Sequence, residues 1–210
     1  MSPPRTALPE WESKEILGPG LPRPREIRAG TVEEAVAFAR ALGRPVVAKA
    51  SGVAHKSDRG LVRLGLGPGE VAACFEELAR AGDGTVVVAE ELRGELELIV
   101  GGVRDAAFGP VGTVGLGGLA AEVDPDVAHL LLPPEPGELD RALAGLRSAP
   151  LFDGYRGRPR VDRGGLGRVL GAIADLLERD PRVVEVDCNP VIVVEGRPVV
   201  ADALVVLEQG

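Results

Sequence analysis

A polar stretch in the first third of the chain carries residue types suited to phosphoryl chemistry. The segment SGVAHKSDRGLVRLGL, residues 51 to 66, sets His55 beside Lys56 and ends its polar part at a lone Gly60. An imidazole nitrogen can accept a phosphoryl group as a transient covalent carrier. The lysine next to it supplies positive charge for phosphate oxygens. A solvated turn would use the same residue types, so a chemical and a purely structural interpretation both stay open for this segment.

The closing segment, VDCNPVIVVEGRPVVADA, holds the second set of candidate residues. Asp187 and Asn189 stand two apart in a predicted strand, so their side chains leave the same face. If the following turn closes with an even number of loop residues, Asp202 pairs close to Val191 and joins that face. Two carboxylates and an amide oxygen then converge, and oxygen-only ligands suit Mg²⁺. The alternative is a turn at Pro190, with Asp202 as a solvated strand residue.

Other residues fit a nucleotide site without proving one. Lys49 lies inside the apolar run VVAKA, where it needs an anion, such as a nucleotide phosphate, or a route along which it snorkels to water. Glu90, Glu91 and Glu97 flank a predicted strand junction, where backbone amides and a carboxylate could hold an adenine edge and a ribose. Acidic residues on an exposed strand face are the favoured alternative for this segment alone. The GLGG at 115 to 118 lets backbone amides approach an anion, which is a weak signal by itself.

The elements that must position these residues follow one another in a mixed order. The segment TVEEAVAFARALG predicts a helix with Thr31 as N-cap, Glu34 completing a capping box and Gly43 as its end. The other predicted elements are helices at PEWESKEIL, over 68–81, near 135–146 and near 163–179, and strands over 45–50, 61–66, 85–92 and 95–103, within FGPVGTVGLGG and in the closing segment. The strands over 85–92 and 95–103 are joined by a predicted turn at Arg93 and Gly94. Mixed helices and antiparallel hairpins indicate an α+β fold.

Composition excludes several classes of protein. Aromatic residues make up only 3% of the 210 residues, so the core is built from Val, Leu, Ile and Ala. A net charge of -8 without a basic block argues against a nucleic-acid partner. The start MSPPRTALPEW lacks the apolar stretch of a signal peptide, and no run reaches the roughly 18 apolar residues of a membrane span, so we expect a cytoplasmic protein. The Pro-rich first eight or nine residues are predicted to be frayed. Cys74 and Cys188 are predicted to be small core residues.

Taken together, the motifs resemble the β-subunit type of ADP-forming acyl-CoA synthetases, an ATP-grasp module related to the nucleotide-binding part of succinyl-CoA synthetase. The resemblance extends from EWESKEIL to VVADALVVLE, nearly the whole chain. Its specificity lies in the order of the motifs, which are GRPVVAK, HKSD, VRLGL, ELIVG, RDAAFGPV, GLGG, FDGYRGRPRVD, EVDCNPVIV and VVADA.

The resemblance implies a fold and a set of roles. The fold would be an ATP-grasp fold of two α/β lobes with the nucleotide between them. Residues 1–210 would form a single unit, with 21–89 as the small lobe and 10–20 together with 90–208 as the larger lobe. His55 would be a phosphohistidine of a relay. The implied nucleotide-binding residues are Lys49, Ser57, Asp58, Gly60, Glu90, Glu91, Leu92 and Glu97, and the implied Mg²⁺ ligands are Asp187, Asn189 and Asp202.

The implied activity exchanges acyl-CoA, ADP and phosphate for a carboxylate, CoA and ATP. A CoA-binding α-type subunit or domain would bring the acyl-CoA, because this chain has no CoA-binding Rossmann unit. The chain departs from the usual sequence of this family at three places. Leu61 replaces a second glycine, and Ala89 replaces a glutamine. The DVAHLLLPP segment has His129 and leucines where an arginine is usual. His129 is predicted to be a helix-surface or core residue. The alternatives are a catalytically silent ATP-binding regulatory module, favoured by Leu61, and a detached ATP-grasp domain of a fused protein acyltransferase.

Overall fold

The computed structural model of the protein describes residues 3–53, 56, 59–118 and 124–209. The chain divides into two compact units. Unit 1 comprises Met1–Ala7, Ser13–Arg23 and Arg93–Gly210, and unit 2 comprises Leu8–Glu12 and Pro24–Leu92. In chain order the elements are β1 (Arg5–Ala7), α1 (Glu10–Leu17), β2 (Glu26–Ala29), α2 (Val32–Leu42), β3 (Val46–Ala50), β4 (Val62–Leu66), α3 (Pro68–Ala81), β5 (Val86–Glu90), β6 (Leu96–Asp105), β7 (Gly109–Leu116), β8 (Val127–Leu131), α4 (Glu138–Ala144), α5 (Ala149–Phe152), a 3-10 turn (Tyr155–Gly157), α6 (Arg163–Arg179), β9 (Val183–Val194), β10 (Arg197–Val200) and β11 (Leu204–Glu208).

Unit 2 is built on a four-stranded antiparallel sheet in the order β2-β5-β3-β4. Helices α2 and α3 contribute Ala35, Ala39, Val71 and Leu78 to its buried core. All five residues of β3 are buried, so Lys49 stands in an otherwise apolar strand. Full burial of a Val or Leu side chain contributes about 1.5–3 kcal/mol, and this core therefore holds β3 firmly.

Helix α2 confirms the prediction made from its capping residues. The Thr31 hydroxyl accepts a hydrogen bond from the backbone amide of Glu34, and the Glu34 carboxylate accepts one from the amide of Thr31. Gly43 ends the helix in the left-handed conformation, with φ of 69°. Both ends are fixed by residues within a turn of them, which is why sequence alone could place this helix.

Unit 1 is built on an antiparallel sheet in the order β1-β11-β9-β6-β7-β8, with β10 also paired to β9. Helix α6 covers one face of this sheet with a stripe of buried residues at helical spacing, namely Leu166, Val169, Leu170, Ile173 and Leu177. The approach is close, because a Cβ atom added to Gly102 of β6 would lie 2.6 Å from the Ile173 side chain. The opposite face of β6 and β9 is not covered by α6, and it carries the acidic residues of the candidate site.

Several sequence-based expectations were wrong. The N-terminal residues are not frayed throughout, because Arg5–Ala7 pair with β11 as strand β1. Strands β5 and β6 are not a hairpin, since β5 pairs in the sheet of unit 2 and β6 in the sheet of unit 1. His129 is neither a helix-surface nor a core residue, since it is exposed on β8 with its Nδ1 3.0 Å from the Thr113 hydroxyl. Strands β2 and β8 were not predicted at all.

Among the described residues, no helix is both long and apolar enough to cross a membrane. Neither cysteine is in a disulfide: Cys188 is buried and Cys74 is half-buried against the core of unit 2. Burial raises the pKa of the Cys188 thiol to about 12, which fits the predicted role of this residue as a small core side chain.

Candidate functional site

Asp187, Asn189 and Asp202 come together in unit 1. The turn between β9 and β10 contains two residues, and Val200 rather than Asp202 pairs with Val191. Strand β11 continues along β9 in the same register, with Leu204 opposite Asp187. Asp202 lies midway between these two pairs and therefore faces Asn189 across the break between β10 and β11.

A bulge lies in the middle of β9, at Asn189 and Pro190. Val100 of β6 pairs with Cys188, but Leu98 pairs with Val191, so β9 has one more residue than β6 in this interval. Cys188 and Val191 are consequently both buried, while Asn189 is exposed between them. Bulges re-aim side chains in this way next to functional sites.

Burial and neighbouring negative charges disfavour the ionised form of Asp187 on β9. Burial, together with the negative charges of Glu185 and Asp202, raises the pKa of Asp187 to about 6. A hydrogen bond from the Asn189 side chain opposes the shift. A cation placed among these oxygens would relieve the repulsion, because an opposite charge within a few ångströms stabilises the ionised carboxylate.

The donor set fits Mg²⁺ rather than a transition metal. Asp187, Asn189 and Asp202 offer oxygen alone, and within the described ranges no group of three or more His, Cys, Asp or Glu residues could hold a metal ion. Mg²⁺ commonly takes one or two carboxylates and completes its shell with substrate phosphates and water. The three residues therefore suit a metal that arrives with a nucleotide.

Glu97 lies on β6 beside the glycine segment. Its side chain is exposed, and its backbone carbonyl accepts a hydrogen bond from the amide of Gly117 at 2.8 Å. Gly118 has φ of +73°, and a Cβ atom there would lie 3.2 Å from the Glu97 carboxylate. Gly115 is required by packing, since its Cβ would lie 2.3 Å from the carbonyl oxygen of Asp126. These close approaches explain the GLGG spacing without an anion.

In unit 2 the anion that Lys49 needs is supplied by Glu10. The Lys49 ammonium lies 2.7 Å from one carboxylate oxygen of Glu10, and the Lys56 ammonium contacts the other. All three residues are buried, with exposures of 5% for Glu10, 8% for Lys49 and 6% for Lys56. The single carboxylate of Glu10 thus joins strand β3 to the segment that follows His55.

We expect Lys49→Met to destabilise the protein and to weaken nucleotide binding. Breaking one arm of a buried ion pair leaves Glu10 with less compensation, at a cost of about 2–4 kcal/mol, and the lost ammonium removes a phosphate contact. Urea unfolding and calorimetric titration with ADP measure the two effects separately. Glu10 keeps Lys56 in Lys49→Met, so a Lys49→Met, Glu10→Gln double variant should be less stable still, because it also removes the carboxylate that the buried Lys56 ammonium contacts.

A large loss of stability with unchanged nucleotide affinity in Lys49→Met would show that Lys49 is a structural partner of Glu10 and nothing more. If neither quantity changes, the ion pair itself contributes little.

The predicted adenine segment, Glu90 to Leu92, closes unit 2. The Glu90 carboxylate accepts a hydrogen bond from the backbone amide of Arg25 and contacts the Arg44 guanidinium. The backbone amide of Glu91 donates to the carbonyl of Pro45. The side chain of Glu90 is therefore engaged within unit 2, and recognition of adenine there would fall to the remaining backbone groups.

The segment with His55 is described only in part. Gly60 adopts φ of +65° in a turn, and a Cβ atom there would meet nothing within 4 Å. Leu61 is buried in the core of unit 2, and its amide donates to the carbonyl of Lys56. His55, Ser57 and Asp58 lie outside the described residues.

Comparison with known proteins decides the family. A family model described as an ATP-grasp domain matches residues 1–207. The β subunit of acetate–CoA ligase (ADP-forming) II from Pyrococcus furiosus is 33% identical over 97% of this chain and 93% of its own. The chain belongs to the ATP-grasp family of ADP-forming acyl-CoA synthetases. The fold is thus the expected α+β ATP-grasp fold, here with two antiparallel sheets.

Members of this ATP-grasp family differ in length. Trans-feruloyl-CoA synthase FCS1 from an unidentified prokaryote is 37% identical, and this chain spans only 31% of its length. The chain spans 29% and 30% of the lengths of two further relatives. Among solved structures, the dinucleotide-forming acetyl-coenzyme A synthetase 1 of Ca. Korarchaeum cryptofilum has a TM-score of 0.80 at 30% identity, covering 95% of this chain and 92% of that one. That structure contains coenzyme A and Mg-AMPPCP, with a phosphohistidine segment pointing towards the nucleotide binding site.

Sequence reasoning missed the buried polar residues of α1. Glu10, Ser13 and Lys14 are all buried in this short helix, although its sequence reads as an ordinary polar surface helix. The available signal was their spacing, since positions i, i+3 and i+4 share one helix face. Glu185 was also missed, although it stands two residues before Asp187 on the same strand.

Proposed function

We propose that this chain is the nucleotide-binding subunit or domain of an ADP-forming acyl-CoA synthetase, an acid–thiol ligase. The observation that supports it most directly is the convergence of Asp187, Asn189 and Asp202 in a chain of this family, because an oxygen-only set suits a Mg²⁺-bound nucleotide. The Korarchaeum relative, crystallised with Mg-AMPPCP, supports the same assignment.

In the reaction we propose, acyl-CoA, ADP and phosphate give a carboxylate, CoA and ATP. A phosphoryl group reaches a nitrogen of His55 from the acyl side of the enzyme. An oxygen of the ADP β-phosphate then attacks that phosphorus, the P–N bond breaks, and the electron pair returns to the imidazole as ATP forms. Bound Mg²⁺ would neutralise charge on the phosphate oxygens.

The residues of this chain would then position the nucleotide. Lys49 contacts phosphate oxygens by exchanging part of its bond with Glu10, Glu97 binds the ribose, and the backbone of Glu91 and Leu92 holds adenine. In-line transfer depends chiefly on geometry and charge neutralisation, so these side chains can support it through binding contacts, without forming covalent bonds themselves. Ser57, Asp58 and Gly60 would complete the contacts around the phosphoryl group. Unit 2 corresponds in this proposal to the small lobe.

The CoA-binding half of the enzyme would be a separate subunit or domain. In some relatives this module forms nearly a whole β subunit, and in others it makes up about a third of a longer chain. We therefore propose an α-type partner that brings the acyl-CoA. ADP and acyl-CoA are cytoplasmic metabolites, so we place the reaction in the cytoplasm.

The position of Leu61 weakens the argument for a catalytically silent ATP-binding regulatory module. It was favoured by Leu61 in place of a glycine, but Leu61 is a buried member of the unit 2 core. A packing role accounts for this leucine without any loss of activity.

The test is turnover with a CoA-binding subunit from the same genome. We expect ATP to form from ADP, phosphate and acyl-CoA when both proteins are present, and neither to act alone. A coupled assay for ATP with a panel of acyl-CoA substrates measures it. If the chain binds Mg-ADP but no partner and acyl-CoA give turnover, the regulatory module becomes the better assignment.

A further inference from the structure

Two consecutive residues of α1 make buried polar contacts that the proposed mechanism does not use. Lys14 has 0% exposure, and its ammonium donates to the carbonyl of Ala201 at 3.0 Å. Ser13, also with 0% exposure, accepts a hydrogen bond at its hydroxyl from the backbone amide of Val205 at 3.0 Å. A fully buried ammonium is costly, so its retention calls for a specific gain.

Both contacts fall on the break between β10 and β11. Val200 is the last residue of β10 and Leu204 the first of β11, so the three residues between them belong to neither strand. The amide of Ala201 donates to the carbonyl of Pro190 at 3.0 Å, and the Asp202 carboxylate accepts from the amide of Ala203 at 2.8 Å. Ser13 and Lys14 therefore bond to the backbone on either side of Asp202.

We propose that Ser13 and Lys14 are positioning residues that hold Asp202 opposite Asn189, ready to bind Mg²⁺ with the nucleotide. This inference rests on the proposed magnesium site. Metal binding is weakened when the backbone around a ligand carboxylate must first lose conformational freedom. Two anchors, one residue before Asp202 and three residues after it, remove that freedom in advance.

A second observation places the lysine charge near the same strand. The Lys14 ammonium bonds to the carbonyl of Ala201, and the amide of Ala201 in turn donates to the carbonyl of Pro190 in β9. Ala201 directly precedes Asp202, and Pro190 directly follows Asn189, so the positive charge of Lys14 lies near the site. The ammonium thus also offsets part of the negative charge that Glu185, Asp187 and Asp202 bring together.

The experiment compares ADP binding with and without Mg²⁺ in Ser13→Ala and Lys14→Met. Losing one anchoring hydrogen bond should weaken the Mg²⁺-dependent binding of ADP about tenfold and leave binding in EDTA unchanged. Ser13→Thr, which keeps the hydroxyl, should restore most of the affinity. Ser148→Ala is the matched control, since it removes the hydroxyl of another buried serine of unit 1 and should change neither affinity.

A double-mutant cycle with Asp202→Asn separates positioning from general stability. If Ser13 acts through Asp202, Ser13→Ala should have little further effect in the Asp202→Asn background. Equal losses with and without Mg²⁺, or full additivity with Asp202→Asn, would overturn the inference. The neutral Ser13→Ala decides the question even if Lys14→Met does not fold.

The same cycle distinguishes two outcomes: a wrong magnesium site, and a correct magnesium site that Ser13 and Lys14 do not position. Unchanged Mg²⁺-dependent binding in Asp202→Asn itself would remove the magnesium site and the functional part of this inference. Hydrogen exchange at the amides of Ala203 and Val205 then tests the anchoring by Ser13 alone. If Ser13 holds this segment, Ser13→Ala should speed exchange there about tenfold.

Discussion

Replacing His55 by alanine should abolish phosphoryl transfer, with turnover lowered about a thousandfold or more, and leave Mg-ADP binding nearly intact. The reason is the role we propose for the imidazole, which carries the phosphoryl group but does not anchor the nucleotide. Two of its neighbours in sequence are poorer carriers at neutral pH: Lys56 is bonded to Glu10, and the Ser57 hydroxyl is a weak nucleophile without a base.

The measurement follows label from the γ-phosphate of ATP into the protein. Phosphohistidine is acid-labile, so the workup stays neutral or alkaline, and mass spectrometry examines the peptide of residues 51 to 59. Labelling should be faster with the CoA-binding partner present, since the relay involves both proteins. The matched control is His129→Ala, which removes the chain's other histidine from an exposed position on β8 and should leave labelling and turnover unchanged.

Turnover of the His55→Ala variant at the normal rate with the partner would exclude the relay. Label that persists in His55→Ala would move the carrier to another residue. Label absent from the wild-type chain under every condition that supports turnover would likewise contradict a phosphohistidine at this position.

Replacing Asp187 or Asp202 by alanine should weaken the Mg²⁺-dependent binding of ADP by about a hundredfold, which corresponds to roughly 2.7 kcal/mol. Each variant removes one of two carboxylates from the proposed metal shell, and the nucleotide phosphates then lose a bridging cation. Binding measured in EDTA should change much less, because it does not involve the metal. Calorimetric titration of ADP at fixed Mg²⁺ concentrations gives both values.

Glu185→Gln is the matched control for the charge of this region. Glu185 is close enough to raise the pKa of Asp187, but it is outside the proposed ligand set. We expect its effect on Mg²⁺-dependent binding to stay within about threefold, since removing a neighbouring charge is a second-order perturbation. An equal loss of Mg²⁺-dependent affinity in Glu185→Gln would mean that this part of β9 attracts cations through its net charge alone. Undiminished affinity in both aspartate variants would restore the interpretation of this segment as a simple turn.

The sequence by itself determined the elements whose signals are local. The capping box of Thr31 and Glu34 specified α2, and the apolar spacing over Arg163–Arg179 specified α6, because the residues that fix a helix lie within a few positions of one another. The ordered motifs likewise identified the ATP-grasp family, which the match over residues 1–207 confirms. The two-residue turn after β9 fixed the register that brings Asp202 to Asn189, although the sequence analysis had placed Asp202 close to Val191, two residues further along β9.

Tertiary structure decided what depended on contacts between distant residues. Nothing near Lys49 in sequence indicated that its carboxylate partner would be Glu10, 39 residues away, or that one carboxylate would also hold Lys56. The separation of β5 and β6 into different sheets, and the pairing of Arg5–Ala7 with β11, are equally invisible to local patterns. Burial is a property of the folded chain, and it alone turns Ser13 and Lys14 from ordinary helix residues into anchors for Asp202.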